Sequence, residues 1–123
     1  MRHNFKELKI WNLAMEIAEE IYKISSNFPA EEKYGIVSQI RRSAVSVPSN
    51  IAEGTGRGSD KEFRHFLEVA LASAYELETQ LILTEKLKFS KEELNTSIHN
   101  KLNELEKMIA GFIKKLKIQI EEK

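Results

Sequence analysis

The sequence contains no cysteine, and only two prolines and five glycines occur among its 123 residues. The absence of cysteine excludes disulfide bonds, thiol nucleophiles and cysteine metal ligands. No apolar run approaches the roughly 18 residues that a membrane-spanning helix needs, and the N-terminus lacks the apolar segment of a signal peptide. We therefore expect a cytoplasmic protein that does not associate with a membrane.

Charge of neither sign is in excess, since 19 lysines and arginines balance 19 aspartates and glutamates. A neutral chain has no global field that attracts polyanions, so nucleic-acid binding would need a local patch or patches summed in an oligomer. Charged residues make up 31% of the chain and the apolar set 41%. Many charges and few helix breakers indicate an all-α protein, and the length fits one domain over residues 1–123.

The hydrophobic periodicity predicts four helices. Ser59 with Glu62, and Ser90 with Glu93, have the spacing of a capping box at the starts of the third and fourth helices. Short connections make consecutive helices antiparallel, which predicts an up-down-up-down four-helix bundle. The predicted helices run from about residue 6 to 27, from 31 or 34 to 52, from after 59 to 87, and from after 90 to 119.

Helix 1 has a wider apolar face than one position in a bundle requires. Its apolar residues span about 220° of the circumference. They form one row of Leu8, Trp11, Met15, Ala18 and Tyr22, a second row of Ile10, Ile17 and Ile24, and a middle row of Ala14, Ile21 and Phe28. Large exposed apolar patches usually mark interfaces, so we assign Ile10, Ile17 and Ile24 to a contact between subunits. The alternative is that helix 1 lies more centrally within the monomer.

Pro48 falls inside helix 2 without changing the phase of its apolar positions. Ile40, Ala44, Val47 and Ile51 keep helical spacing on both sides of it. Proline lacks the N–H of a helical hydrogen bond and crowds the preceding turn. We therefore predict one helix that is kinked at Pro48, rather than two separate segments.

Basic residues on helix 2 and just after it form a candidate nucleic-acid-binding patch. The guanidinium group offers paired donors that suit phosphate. The alternative is that these residues form ordinary surface ion pairs with nearby carboxylates. The stretch "GTGRGSDK" is not a Walker loop, because the order Gly-x4-Gly-Lys-Ser/Thr is missing. The candidate residues are Arg41, Arg42, Arg57, Lys61 and Arg64.

No motif predicts catalysis. Glu62 and His65 have the Glu-x-x-His spacing of a di-iron bundle, but such a site needs a second motif of this kind and two further inward glutamates. Glu78 and Glu85 lie at the edge of the apolar row of helix 3, where we expect a carboxylate to pair with lysine or arginine. We predict no metal site, no cofactor and no enzymatic activity.

Two stretches closely resemble the bacterial four-helix-bundle family that is also called the 23S rRNA intervening-sequence protein family. They are "YGIVSQIRRSAVSVPSNIAEG" at 34–54 and "KEFRHFLEVALASAYELETQL" at 61–81. The resemblance covers nearly the whole chain and is weakest after Leu87. It implies a short antiparallel bundle that associates as a ring-shaped homopentamer. A related branch, the accessory protein of diversity-generating retroelements, implies that Arg41, Arg42, Arg57 and Arg64 contact nucleic acid.

Two functions follow from these observations. The first is a non-enzymatic oligomeric binding or scaffold protein, whose ring presents a surface to a protein partner. The alternative is an accessory factor that binds RNA or DNA together with a reverse transcriptase, as the retroelement relatives imply. The formal neutrality of the chain counts against the alternative.

Overall fold

The computed structural model describes residues 4–121, and within this range it contains four α-helices and no strand. The predicted all-α fold of four helices is confirmed. The first two helices begin later than predicted, because short 3₁₀ turns at Phe5–Glu7 and Ala30–Glu32 precede them. The helices are α1 Lys9–Ser25, α2 Ile36–Thr55, α3 Asp60–Lys86 and α4 Glu92–Glu121.

The seam between α2 and α3 is antiparallel and closely packed. The hydroxyls of Ser46 and Ser73 lie 2.8 Å apart at its middle. Farther along α2, Gly54 reaches the first turns of α3, where a Cβ on it would lie 2.9 Å from atoms of both Phe63 and Phe66. The two helices can approach this closely because glycine presents no side chain to the seam.

The seam between α3 and α4 is also antiparallel. Near the connecting turn, the carboxylate of Glu85 lies 2.7 Å from Nε2 of His99. At the far end, the rings of Phe63 and Phe112 meet edge to face with 5.3 Å between their centroids. The start of α3 and the last third of α4 therefore lie at the same end of the bundle.

Lys101 joins α4 to α1 and so closes the bundle. Its Nζ donates hydrogen bonds of 2.8 Å to both Glu16 and Glu20 on α1. Each helix then packs against two neighbours, and α1 does not contact α3 in the described part of the chain. Because α1 and α3 are not neighbours, the outer face of the α1–α2 seam lies away from the outer face of α3.

The core contains apolar side chains from all four helices, and it includes the row that we assigned to a subunit contact. Ile10, Ile17 and Ile24 are only 3%, 1% and 4% exposed within the single chain. That assignment is wrong, because α1 turns this row inward together with the small Ala14 and Ala18, which let the neighbouring helices approach. The alternative of a more central α1 is correct for this flank of the helix.

The two predicted capping serines behave differently. The Ser59 hydroxyl accepts a 3.2 Å hydrogen bond from the backbone N–H of Glu62, as a helix cap does. The Ser90 hydroxyl instead donates a 2.7 Å hydrogen bond to Oδ1 of Asn95, a buried side chain that needs a partner. Helix α4 begins at Glu92.

Pro48 lies inside α2, which runs through it as one helix, as predicted. Polar side chains cluster around this point. Nδ2 of Asn50 donates to the backbone oxygen of Ser46 at 2.8 Å and to its hydroxyl at 3.0 Å, and Ser46 also bonds Ser73. These groups satisfy hydrogen-bonding capacity next to the missing N–H of proline. The kink angle itself stays a prediction.

Candidate functional site

An apolar groove runs along the outer face of the α1–α2 seam, with a volume of about 590 Å³. Each helix contributes positions that recur at three- and four-residue intervals and therefore form one stripe. Its apolar lining is Trp11, Met15, Ala18 and Tyr22 from α1, and Val45, Pro48 and Ala52 from α2, with Glu19, Lys23 and Ser49 at the edges.

Large apolar side chains of this groove remain in contact with water. Met15, Tyr22 and Val45 are 41%, 43% and 42% exposed. A contiguous apolar surface of this kind marks an interaction site in soluble proteins. The excess apolar width of helix 1 is therefore real, but it lies on the Trp11 row, on the opposite flank from the predicted isoleucine row.

Arg41 lies against Tyr22, at one end of the groove. Its Nε donates a 2.8 Å hydrogen bond to the hydroxyl of Ser25, and its Nη2 donates to the backbone oxygen of Tyr22 at 3.3 Å. The guanidinium carbon also lies 4.6 Å from the centre of the Tyr22 ring. A cation at this place bonds the Tyr22 carbonyl in the last turn of α1 and complements the helix dipole. Arg41 therefore has a structural role that sequence analysis missed.

Arg57 and Arg64 both have acidic neighbours four residues away. Nη2 of Arg57 lies 3.7 Å from Oε1 of Glu53, and its guanidinium carbon stacks 4.7 Å from the centre of the Phe66 ring. Nε of Arg64 lies 3.9 Å from Oε1 of Glu68, an ion-pair distance that is too long for a hydrogen bond. The exposed pair of Arg57 is weak and leaves its guanidinium group open to other anions, whereas Arg64 is only 24% exposed and its Nε is buried.

The structure does not bring the five predicted basic residues together. Arg41 and Arg42 lie in the first half of α2, whereas Arg57, Lys61 and Arg64 follow its other end. At 1.5 Å per residue, about 20 Å of helix separates the two groups. Arg42 and Lys61 are exposed, and neither forms a hydrogen bond or ion pair within residues 4–121.

The glutamates at the edge of α3 find partners other than lysine or arginine, contrary to our expectation. Glu85 pairs with His99, while Glu78 faces Glu106 across the α3–α4 seam. Partial burial raises the pKa of Glu106 to about 7, and the hydrogen bond and charge of Glu78 add to the effect. Glu106 can therefore take up or release a proton near neutral pH.

No metal centre is apparent in the part of the chain that the structure describes, since no group of three or more potential ligands comes together there. Glu62 and His65 are both exposed on the first turns of α3, and the His65 ring packs against Phe66 with 5.5 Å between centroids. Of the helices in residues 4–121, none is long and apolar enough to cross a membrane.

The groove residues were missed, although their types carry a signal. The exposed flank of α1 holds Trp11, Met15 and Tyr22, which are types enriched in the centres of interfaces. The buried flank holds only isoleucines, which are typical of interiors. Residue type therefore distinguishes the two flanks, whereas the width of the apolar arc does not.

Comparisons with known proteins identify the family of this bundle. The model of the 23S rRNA-intervening sequence protein family matches residues 6–111. A solved structure of a protein with unknown function from the S23 ribosomal protein family of Bacteroides thetaiotaomicron is similar, with 30% identity and a TM-score of 0.77 over 85% of this chain and 98% of that chain. A comparison with curated proteins found no match. The link to the retroelement accessory protein stays a prediction. The chain belongs to the 23S rRNA-intervening sequence protein family.

Proposed function

We propose that the protein is a non-enzymatic homo-oligomer that acts as a scaffold for a protein partner, with the α1–α2 groove as one half of its subunit interface. The observation that carries this proposal is the exposed apolar lining of the groove, around Met15, Tyr22 and Val45. Covering such a surface with a second copy of the chain removes apolar area from water, which is the main driving force for association. The resemblance to the family implies that the assembly is a homopentameric ring.

The second half of the interface is formed by exposed apolar side chains that span about 140° of the outer surface of α3, at 3.6 residues per turn. This α3 stripe consists of Val69, Tyr75, Ile82 and Leu83. Helix α3 packs against α2 and α4 but not against α1 in the described structure, so the stripe cannot fill the groove of its own chain. Two different apolar surfaces on one chain fit a head-to-tail contact, which builds a ring when the rotation closes.

Charges beside the two surfaces also fit a contact of groove with stripe. Lys23 borders the groove, and Arg42 lies one turn before Val45. The outer face of α3 carries the exposed carboxylates of Glu68 and Glu76 together with the exposed Lys61 and Lys86. In a contact of groove with stripe, Lys23 and Arg42 attract these carboxylates, although Glu19 at the groove edge carries charge of the other sign.

Light scattering after size exclusion, at micromolar concentration, tests the proposal. We expect the wild type at a multiple of its 14.2 kDa chain mass, with a pentamer at five times that value. Met15→Glu disables the groove and Leu83→Glu disables the stripe, so each variant alone should be a monomer. Mixed at equal concentration, they should form only a dimer of the two variants, because one intact groove then meets one intact stripe.

The matched control for these variants is Leu94→Glu on α4. Leu94 and Leu83 are both 46% exposed, but Leu94 belongs to neither surface. This variant should assemble like the wild type, and circular dichroism should show the same helix content in all three variants. A monomeric wild type, or a Leu83→Glu variant that still assembles, would show that the proposed contact is wrong.

The alternative function, nucleic-acid binding through Arg41, Arg42, Arg57, Lys61 and Arg64, stays a prediction. These residues are divided between two ends of α2, about 20 Å apart, so they do not form one compact patch. Binding that depended on them would require separate contacts at the two ends.

A further inference from the structure

Between Glu106 and Glu121, every charged side chain of α4 is a lysine. Residues 107–119 contain four lysines and no aspartate or glutamate. All four are exposed, and none of them forms a hydrogen bond or ion pair with another residue in the range 4–121. We call them the α4 lysine face: Lys107, Lys114, Lys115 and Lys117.

The α4 lysine face is held on a rigid part of the bundle. Leu116, between two of the lysines, is 2% exposed, and Phe112 and Ile113 pack against the core. The ring contact of Phe112 with Phe63 fixes this segment to the start of α3. The lysines therefore project from an ordered helix, so binding through them does not require the backbone of a tail to become ordered.

Most of the face lies outside the part of the chain that the family model matches. That match ends at residue 111, whereas α4 continues to Glu121. Lys114, Lys115 and Lys117 therefore belong to an extension of the common bundle. Because the chain as a whole is neutral, the extension produces a local positive surface that the net charge conceals.

The exposed side of this segment also carries small residues. Between Lys107 and Lys114 the exposed residues include Ala110 and Gly111. A Cβ added to Gly111 would meet no atom within 4 Å, so packing inside the bundle does not require glycine here. Small side chains between lysines let an extended anionic chain lie close to the helix.

We propose that the α4 lysine face binds the phosphate backbone of single-stranded nucleic acid without sequence preference. Lysine contacts phosphate as a point charge and does not read base edges from this position. An anionic membrane is the competing partner, but a helix that binds at a membrane surface needs a free apolar face beside its lysines. In α4 that face is turned into the core, and Ile118 is the one large apolar side chain of residues 107–119 that stays exposed.

This surface differs from the α1–α2 groove and the α3 stripe, so the inference does not depend on the proposed function. Assembly would repeat the face in every subunit and raise the avidity for a long strand. A single copy presents four lysines, which predicts a salt dependence of log K on log salt with a slope of about −3 for single strands.

Fluorescence anisotropy with a labelled mixed-sequence RNA of about 20 nucleotides tests the inference on the full chain. The wild type should bind at 25 mM KCl and lose affinity up to 200 mM KCl, with a slope of about −3 or steeper. The triple variant Lys114→Gln, Lys115→Gln and Lys117→Gln should lose at least about tenfold in affinity at 25 mM KCl and flatten the slope to about −1.

The matched control replaces Lys86, Lys88 and Lys91 with glutamine, which removes the same charge at the opposite end of the bundle. This control should bind within about twofold of the wild type, since losing three distant exposed charges changes only the screened long-range field. Light scattering on both triple variants separates loss of binding from loss of assembly.

Three results would overturn the inference. The first is no binding of the wild-type protein to RNA at 25 mM KCl. The second is an equal loss of affinity in the control triple variant, which would show a general charge effect. The third is binding to vesicles that contain phosphatidylserine without binding to RNA, which would assign the lysines to a lipid surface.

Discussion

Gly54 marks the closest approach of α2 and α3, and replacing it with alanine tests whether this contact determines the packing of the bundle. An added Cβ would lie 2.9 Å from Cδ1 of Phe63 and 2.9 Å from Cβ of Phe66. The first atom belongs to a buried ring, and the second is attached directly to the helix backbone. Neither can move away as the end of a flexible side chain would, so α2 and α3 must separate.

Two effects of opposite sign set the size of the change. Overpacking of a well-filled core costs typically about 1–3 kcal/mol. Alanine in place of glycine inside a helix raises the free energy of unfolding by about 0.5–1 kcal/mol, because glycine loses more backbone entropy on folding. The cost is larger, so we expect Gly54→Ala to lower the free energy of unfolding by about 1–2 kcal/mol.

Urea unfolding followed by circular dichroism measures this change, with all proteins at one concentration because assembly contributes to stability. Gly111→Ala is the matched control, since a Cβ there meets no atom within 4 Å. It should raise the free energy of unfolding by about 0.5–1 kcal/mol. A Gly54→Ala variant that gains as much stability as Gly111→Ala would refute the conclusion that Gly54 is required for helix contact.

Further predictions concern three titratable side chains and use the same unfolding measurement. The pKa of Glu106 is raised from 4.5 to about 7, so folding favours its protonated form. The resulting contribution to the free energy of unfolding is fully present below pH 4.5 and is lost as the pH rises to about 7. We compare the free energy of unfolding of the wild type with that of Glu106→Gln at each pH. After allowance for solvent screening, this difference should be less favourable to the wild type at pH 8 than at pH 5 by about 1 kcal/mol. The same difference at both pH values would contradict the raised pKa. Lys101→Met removes both bonds to Glu16 and Glu20 and should cost about 1 kcal/mol, an effect that 0.5 M NaCl should reduce. Lys88 has a φ of 59° at the end of α3, a left-handed conformation that glycine adopts without strain. Lys88→Gly should therefore raise the free energy of unfolding by about 0.5 kcal/mol. A loss of stability would show that the backbone of Lys88 is unstrained.

The fold could be predicted because its main determinants are local. Pro29 and the glycines after residue 53 separate segments whose apolar residues recur with helical spacing. The cap at Ser59 was predicted from a motif of four residues, and the structure contains its hydrogen bond. Ser90 has the same motif, but the buried Asn95 uses its hydroxyl, and that contact depends on how the start of α4 packs.

The candidate interface could be predicted in kind but not in position. The arc of helix 1 indicated more apolar surface than a monomer buries. Which flank faces the core depends on how α2 and α4 dock, and the periodicity of one helix contains no information about that choice. Val45 and Pro48 contribute to the groove only after α2 lies beside α1, so no segment of the sequence contains the site by itself.

The positions of the basic residues also depend on contacts between helices that the sequence does not show. Arg41 and Arg42 are adjacent in the sequence, yet Arg41 donates hydrogen bonds to Ser25 and Tyr22, 16 and 19 residues earlier in the chain. Sequence proximity suggested one patch from Arg41 to Arg64, but the length of α2 separates its two ends. The lysines at the end of α4 are close together because one helix carries them, so their spacing was visible in the sequence, although the candidate patch did not include them.

The separation of these surfaces on different helices allows assembly and RNA binding to be tested independently. Leu83→Glu should be a monomer, and it keeps all four residues of the α4 lysine face. It should bind RNA more weakly than the wild type but with a slope of about −3, because one subunit still releases its own counterions. A steeper slope for the assembled wild type would mean that one strand contacts lysines of several subunits. If Leu83→Glu is monomeric and its slope is near zero, then RNA binding belongs to the assembled interface and not to α4.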